Sequence, residues 1–217
     1  MWLEHVMTST PRVVIADAQP LMAEALEKLL SAECAIVGRV YDGHALLEIV
    51  EAQRPDVAVI DVALPLLNGL DAGSQARALH RSLKVVIVTA NEDPALAAHA
   101  VRVCASAFLL KRCDGAELIR AIREVLQHRT YVTPLIAANV VDSLMHASLE
   151  DKSADQLTRR QRQVLQLLAE GKSMKEAGSI LGITARTVAF HKYRMMEQLK
   201  ITTSAELFRV AFHDHVV

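Results

Sequence analysis

Five short apolar runs, alternating with stretches of helical periodicity, constrain this chain more than any other feature. The runs are Val13-Val14-Ile15, Ala35-Ile36-Val37, Val57-Ala58-Val59-Ile60, Val85-Val86-Ile87-Val88 and Ala107-Phe108-Leu109-Leu110. Three of them are nearly continuously apolar, as strands buried on both faces of a parallel sheet must be. Between them lie helix-period stripes, such as Leu21, Ala25, Leu26, Leu29 and Leu30, then Ala45, Leu46, Ile49 and Val50. A third stripe, Leu118, Ile119, Ile122, Val125 and Leu126, follows an acidic start at Asp114 and Glu117. Strand and helix in alternation predict a doubly wound α/β domain on a five-stranded parallel sheet, over residues 11–130.

Beyond His128 the strand signal stops. Residues 131–154 read as a linker with one helix from Leu135 to Leu144, opened by Pro134. The polar stretch Ser148 to Asp155 marks the domain boundary. Residues 155–217 read as a small all-α module of four helices. Thr158 with Gln161, Ser173 with Glu176, and Thr203 with Glu206 have capping-box spacing, and Thr184 can cap the helix after it.

Charge separates the two parts. Residues 1–153 carry 14 Lys and Arg against 19 Asp and Glu, whereas residues 154–217 carry 10 against 6. A basic tail behind an acidic front suggests that the tail meets a polyanion. Apolar content of 52% with 23% charged residues fits an ordered soluble chain. No apolar run approaches the roughly 18–20 residues of a membrane span. Met1 to Pro11 lacks a signal-peptide pattern, and Met7 offers a second start. Cys34, Cys104 and Cys113 have no metal-ligand spacing and read as packing residues. Their odd, sparse count suits a reducing cytoplasm.

Ligands of parallel α/β sheets bind at the carboxyl ends of strands. The first run ends in Asp17, the third in Asp61, the fourth in Thr89 and the fifth in Lys111. Two carboxylates, a hydroxyl and an ammonium on one rim suit phosphoryl chemistry. One carboxylate can be the nucleophile, and a second can help to hold Mg²⁺, which prefers oxygen ligands. Asp61 is followed by Pro65 four residues on and Gly69 eight residues on, with Thr89 and then Phe108-Leu109-Leu110-Lys111 downstream. This set resembles the flavodoxin-like receiver domain of two-component response regulators, over roughly residues 11–130. The resemblance implies that Asp61 is the phospho-acceptor and Asp17 a metal-site carboxylate. It makes Thr89 the switch hydroxyl, Lys111 the phosphoryl partner and Phe108 the aromatic that re-packs on activation. The family usually places two adjacent acids after the first strand, and here the second is Ala18. Mg²⁺ affinity is therefore expected to be weak and phosphorylation by small donors slow. Gln19 could offer a neutral oxygen one position along.

Residues 157–215 resemble the LuxR-type helix-turn-helix of NarL/FixJ-type regulators. The resemblance rests on Leu157 to Gln161, Val164 to Lys172, Leu181-Gly182-Ile183-Thr184, Thr187-Val188, His191, Leu199 and Ala205 to Leu207. Gly182 suits the turn. The helix from Ala185 to Leu199 is then the recognition helix. Val188, His191, Met195 and Leu199 should face the core; Arg186, Ala189, Phe190, Tyr193 and Glu197 should face outward. Arg186, Thr187, Lys192 and Arg194 are candidate phosphate contacts; Ala189, Phe190 and Tyr193 are candidate base readers, their apolar surface suited to thymine methyls. Gly178 and Ala177 stand where the family usually has Ala after a large aliphatic, which predicts a softer or differently packed scaffold helix.

The resemblance implies a transcriptional regulator rather than an enzyme: a sensor histidine kinase phosphorylates Asp61, and a homodimer, joined through the last helix at about Ser204 to His213, binds promoter DNA. Three alternatives stand beside it. A phosphorylation-independent DNA binder is suggested by Ala18. A phosphate sink that never touches DNA conflicts with the basic tail. A haloacid-dehalogenase-like phosphatase would need an acid two residues after its nucleophile, where Ala63 stands.

Overall fold

The computed structural model describes residues 10–146 and 157–213. The expected boundary at Ser148–Asp155 and the choice between Met1 and Met7 lie outside the described residues. The sheet strands are β1 (Arg12–Ala16), β2 (Ala35–Val40), β3 (Val57–Ile60), β4 (Lys84–Thr89), β5 (Ala107–Leu110) and β6 (Tyr131–Val132). They pair in parallel in the order β2-β1-β3-β4-β5-β6. The sheet thus has six strands rather than the expected five. Two residues are too few to show a period, so β6 exists only because β5 offers its edge to Tyr131 and Val132.

Successive strand residues point to opposite faces. Val14, Ala16, Ala58, Ile60, Val85, Ile87, Phe108 and Leu110 enter one core. It is covered by α2 (Gly43–Gln53), α3 (Gly69–Leu79), α4 (Pro94–Val103) and α6 (Pro134–His146). Val13, Ile15, Val57, Val59, Val86, Val88, Ala107 and Leu109 enter the other, under α1 (Pro20–Leu30) and α5 (Gly115–Leu126). Helix α6 is part of this domain, since Ile136 and Val140 are buried in the first core.

Of the stripe expected on α1, Leu26 and Leu30 are buried and Leu29 packs against the core, while Leu21 is 81% exposed and Ala25 faces solvent. Ala23, in the first turn, is fully buried instead, so the buried face of the helix runs through Ala23, Leu26 and Leu30.

The tail comprises α7 (Arg159–Ala169), α8 (Met174–Leu181), α9 (Ala185–Gln198) and α10 (Ser204–His213) around a third core that includes Leu165, Val188, Met195 and Leu207. The capping boxes at Thr158 and Ser173 are formed, and the Thr184 hydroxyl accepts from Thr187 N. Thr203 and Glu206 make the same reciprocal pair, at 2.9 and 3.2 Å. Gly182 ends α8 at φ 66°, where L-residues are disfavoured. Gly178 has a specific cause. A Cβ there would lie 2.7 Å from the Ile183 carbonyl oxygen and 3.3 Å from Ala185 N, so the chain entering α9 runs directly over it. The helix trades propensity for a close approach of α9.

Candidate phospho-acceptor site and nucleic-acid interface

The sheet order reverses between β1 and β3. In a doubly wound sheet that is where crossovers on opposite faces leave a crevice. Asp17 follows β1 and Asp61 follows β3, so the paired register Ala16 with Ile60 places both carboxylates side by side at that crevice. Thr89 ends β4, and Lys111 follows β5 and donates its backbone N–H to Thr89 O at 2.7 Å. Asp17, Asp61 and Thr89 are 1, 5 and 3% exposed.

Lys111 Nζ donates to Asp61 Oδ2 at 2.7 Å and to Asp17 Oδ2 at 2.8 Å. Gln19 N donates to Asp17 Oδ1 at 2.8 Å, and Ala63 N to Asp61 Oδ1 at 3.3 Å. Every carboxylate oxygen of the pair therefore has a donor. Burial alone would push the Lys111 ammonium towards neutrality. The hydrogen bonds to Asp17 and Asp61, with their charges, outweigh it and raise its pKa above the ordinary lysine value. Phe108 is wholly buried within β5, on the core face shared with α4. The geometry thus unites Asp17, Asp61 and Lys111, keeps Thr89 beside them on the neighbouring strand, and puts Phe108 behind them.

The loop after Asp61 folds back on it. Gly69 N donates to Val62 O at 2.9 Å. A Cβ at Gly69 would overlap the Asp61 carbonyl oxygen and sit 2.9 Å from Asp61 C and 3.0 Å from Val62 Cα. That close approach is the reason a glycine stands eight residues after Asp61.

For Mg²⁺ the donor set is thin. Ala18 is exposed at the rim with no oxygen to give. Among the described residues no third Asp, Glu, His or Cys joins Asp17 and Asp61. Two buried carboxylates do fit a Mg²⁺ that keeps most of its waters, in competition with the Lys111 ammonium already between them. The cysteines stand apart from this chemistry. Burial pushes the Cys104 thiol up to about 12 and the Cys113 thiol to about 11, leaving both un-ionised near neutrality.

In the tail, α9 turns Val188 and Met195 fully inward, with His191 and Leu199 half-buried. Burial, and then the Arg160 charge, lower the His191 pKa, as expected of a packed histidine. Arg186, Phe190, Tyr193, Arg194 and Glu197 are exposed, with Phe190 at 60% and Tyr193 at 62%. Thr187, Ala189 and Lys192 are half-buried on the flanks. Two large aromatics in the open on one helix face form an apolar stripe between Arg186 and Glu197. Phe190 touches His191 edge-on, with ring centroids 5.8 Å apart.

The sequence reading missed the contact between the two domains. Gln166 on α7 and Glu170, which caps its C-terminus, bind backbone groups of the loop after Asp61, and Arg162 meets Asp71 at 3.4 Å. Of the three buried glutamines on this helix, Gln161 and Gln163 are bonded within the tail and only Gln166 reaches the loop, so the sequence offered no signal that singled it out.

Residues 13–123 match the response regulator receiver domain, and residues 155–211 match the bacterial regulatory proteins of the luxR family. The chain is 30% identical over 202 residues to the transcriptional regulatory protein UhpA of Escherichia coli, covering 92% of this chain and 97% of that one. Among solved structures, the receiver domain of NarL from Mycobacterium tuberculosis shares 31% identity over 56% of this chain and 99% of its own, at a TM-score of 0.54. RcsB of Salmonella enterica, solved on promoter DNA with the phosphomimetic BeF3−, shares the fold at 19% identity, covering 96% of this chain and 98% of its own, at a TM-score of 0.62. No helix among the described residues is long and apolar enough to cross a membrane. With a receiver domain ahead of a LuxR-type DNA-binding domain, the chain belongs to the response regulators, the transcriptional regulators of two-component systems.

Proposed function

We propose that Asp61 accepts a phosphoryl group from a sensor histidine kinase and that the switched chain binds promoter DNA as a homodimer through α9. The observation that carries this reading is the ion triad of Asp17, Asp61 and Lys111 at the point where the sheet order reverses. A carboxylate oxygen of Asp61 attacks phosphorus, the phosphorus–nitrogen bond of the phosphohistidine breaks, and its electron pair returns to the imidazole. Lys111 can follow the new charge from carboxylate to phosphoryl oxygen, and the Thr89 hydroxyl supplies a second donor. Mg²⁺ held by Asp61 and Asp17, weakly in the absence of an acid at position 18, would neutralise phosphoryl oxygens when bound. Phe108, packed behind the site, is the group whose re-packing passes the change on.

The division of labour follows residues 11–130 as receiver, with β6 and α6 from the 131–154 segment packed onto it, and 155–217 as DNA-binding unit. On α9, Arg186, Thr187, Lys192 and Arg194 suit phosphates, while Ala189, Phe190 and Tyr193 suit base edges, thymine methyls among them. Dimers through α10, whose Phe212 is 62% exposed, would read two half-sites related by a twofold axis. The chain works in the cytoplasm and as a regulator, with no reaction on an external substrate beyond its own phosphoryl transfer.

Ala18, together with a lysine already bonded to both carboxylates, favours a second reading in which DNA binding needs no phosphorylation. Intact mass after incubation with acetyl phosphate and Mg²⁺ separates the two. One phosphoryl adduct on the wild type and none on Asp61→Asn supports the switch. No adduct, alongside retention on DNA that is lost at high salt, supports the second reading.

A further inference from the structure

The loop between Asp61 and α3 is held from two sides. On the inner side Ala63 N touches Asp61 Oδ1, and Gly43 N donates to Pro65 O at 3.3 Å. On the outer side the tail takes hold of every second residue. Gln166 Nε2 donates to Leu64 O at 2.9 Å, Leu66 N donates to Glu170 Oε1 at 3.0 Å, and Asn68 N donates to Gln166 Oε1 at 2.7 Å. Gln166 Nε2 also donates to Glu170 Oε1 at 2.7 Å, which fixes the two α7 side chains against each other. Gln166 is 2% exposed, so these bonds are shielded from water.

Leu66 marks the tightest point. Its φ of 67° lies in the left-handed region, which a branched side chain seldom enters. In that conformation its side chain packs against the core of the tail domain while its N–H meets Glu170. A strained backbone persists only where its surroundings over-determine it, and here the surroundings belong to the other domain. Meanwhile the outward face of α9 stays exposed, so this contact does not act by covering the recognition helix.

We infer that Gln166 and Glu170 are positioning residues for phosphoryl transfer at Asp61: α7 pins the acceptor's loop in its unphosphorylated shape and slows entry of the phosphoryl group. The inference rests on Asp61 being the acceptor. A phosphoryl group entering on Asp61 Oδ1 displaces the Ala63 N–H bonded there, and one entering on Oδ2 displaces Lys111 and crowds the same loop. A loop tied at residues 64, 66 and 68 yields less readily than a free one.

The test is the rate of acetyl phosphate labelling of the full chain, followed by intact mass, for wild type, Gln166→Leu, Glu170→Ala and Glu170→Gln. Gln166→Leu and Glu170→Ala should label at least threefold faster than wild type. Glu170→Gln keeps an oxygen for Leu66 N and should label at the wild-type rate. Hydrogen exchange at the Leu66 and Asn68 amides reads the clamp without phosphorylation, with protection lost at Asn68 in Gln166→Leu, lost at Leu66 in Glu170→Ala, and kept at both in Glu170→Gln. Equal labelling rates in all four chains would overturn the inference and leave Asp61 as acceptor. Acceleration in Glu170→Gln equal to that in Glu170→Ala would overturn it too, because the bond to Leu66 would then not matter. No adduct on any chain would remove the acceptor reading and the inference together.

Discussion

Replacing Lys111 with Met keeps the length of the side chain and removes its charge. The Oδ2 atoms of Asp17 and Asp61 both lie within 2.8 Å of Nζ. They are therefore no more than about 5.5 Å apart, and at an effective dielectric constant near 20 their mutual repulsion is about 3 kcal/mol. Each also loses its ion-pair partner, and breaking a buried pair in this way costs about 3–5 kcal/mol. The expected loss is about 3–5 kcal/mol at pH 7, or roughly 10 °C in thermal midpoint. The Lys111 pKa is raised on folding, so its contribution is complete below the ordinary lysine pKa and disappears as pH rises through the higher folded value; the gap between wild type and variant should narrow as pH rises into that range. Urea unfolding of both chains at pH 7 and above the ordinary lysine pKa, followed by circular dichroism, measures this. A gap below about 1 kcal/mol at pH 7, or one that does not change with pH, would refute the triad as the main electrostatic element of the pocket.

Three further outcomes are expected. Gly69→Ala forces a Cβ onto the Asp61 carbonyl with no flexible side chain to yield, and should cost about 2–3 kcal/mol in thermal unfolding; Gly171→Ala, with open space around it, should cost only its positive-φ strain of about 1 kcal/mol. Ala18→Asp should tighten Mg²⁺ binding at least tenfold by calorimetric titration, and superimposable titrations would show that position 18 does not face the ion. His191, whose pKa is lowered by burial and then by Arg160, should contribute stability above its ordinary pKa near 6.5 that is lost as pH falls below it; His191→Gln should flatten that part of the stability–pH curve, and an unchanged curve would place the dependence elsewhere.

Much of the candidate site was legible in the chain because its members are strand-end residues. A strand announces itself by local apolarity, and parallel pairing brings strand ends to one rim, so Asp17, Asp61, Thr89 and Lys111 could be gathered without knowing a single contact. The caps were legible for the same reason, since Thr158 with Gln161 and Ser173 with Glu176 interact across three residues. On α9, the positions expected to face outward include exposed Phe190 and Tyr193, because the period of a long helix sets its faces once Val188 and Met195 are buried.

What the sequence by itself determined were the features whose partners lie close along the chain or are forced together by strand order: the α/β alternation, the helix starts, the acidic rim and the inner and outer faces of α9. Tertiary structure alone decided the rest. The two residues of β6 became a strand because β5 had a free edge. Leu21 stands outside the core because packing on the sheet buries the face of α1 that carries Ala23, Leu26 and Leu30. Gly178 proved necessary because Ile183 O passes over it. Gln166 and Glu170 met the loop after Asp61 across 98 to 104 residues of chain. A single backbone N–H or carbonyl carries no side-chain pattern that could advertise such a partner, so only the folded arrangement, which lays α7 along that loop, reveals which amides the glutamine and glutamate hold.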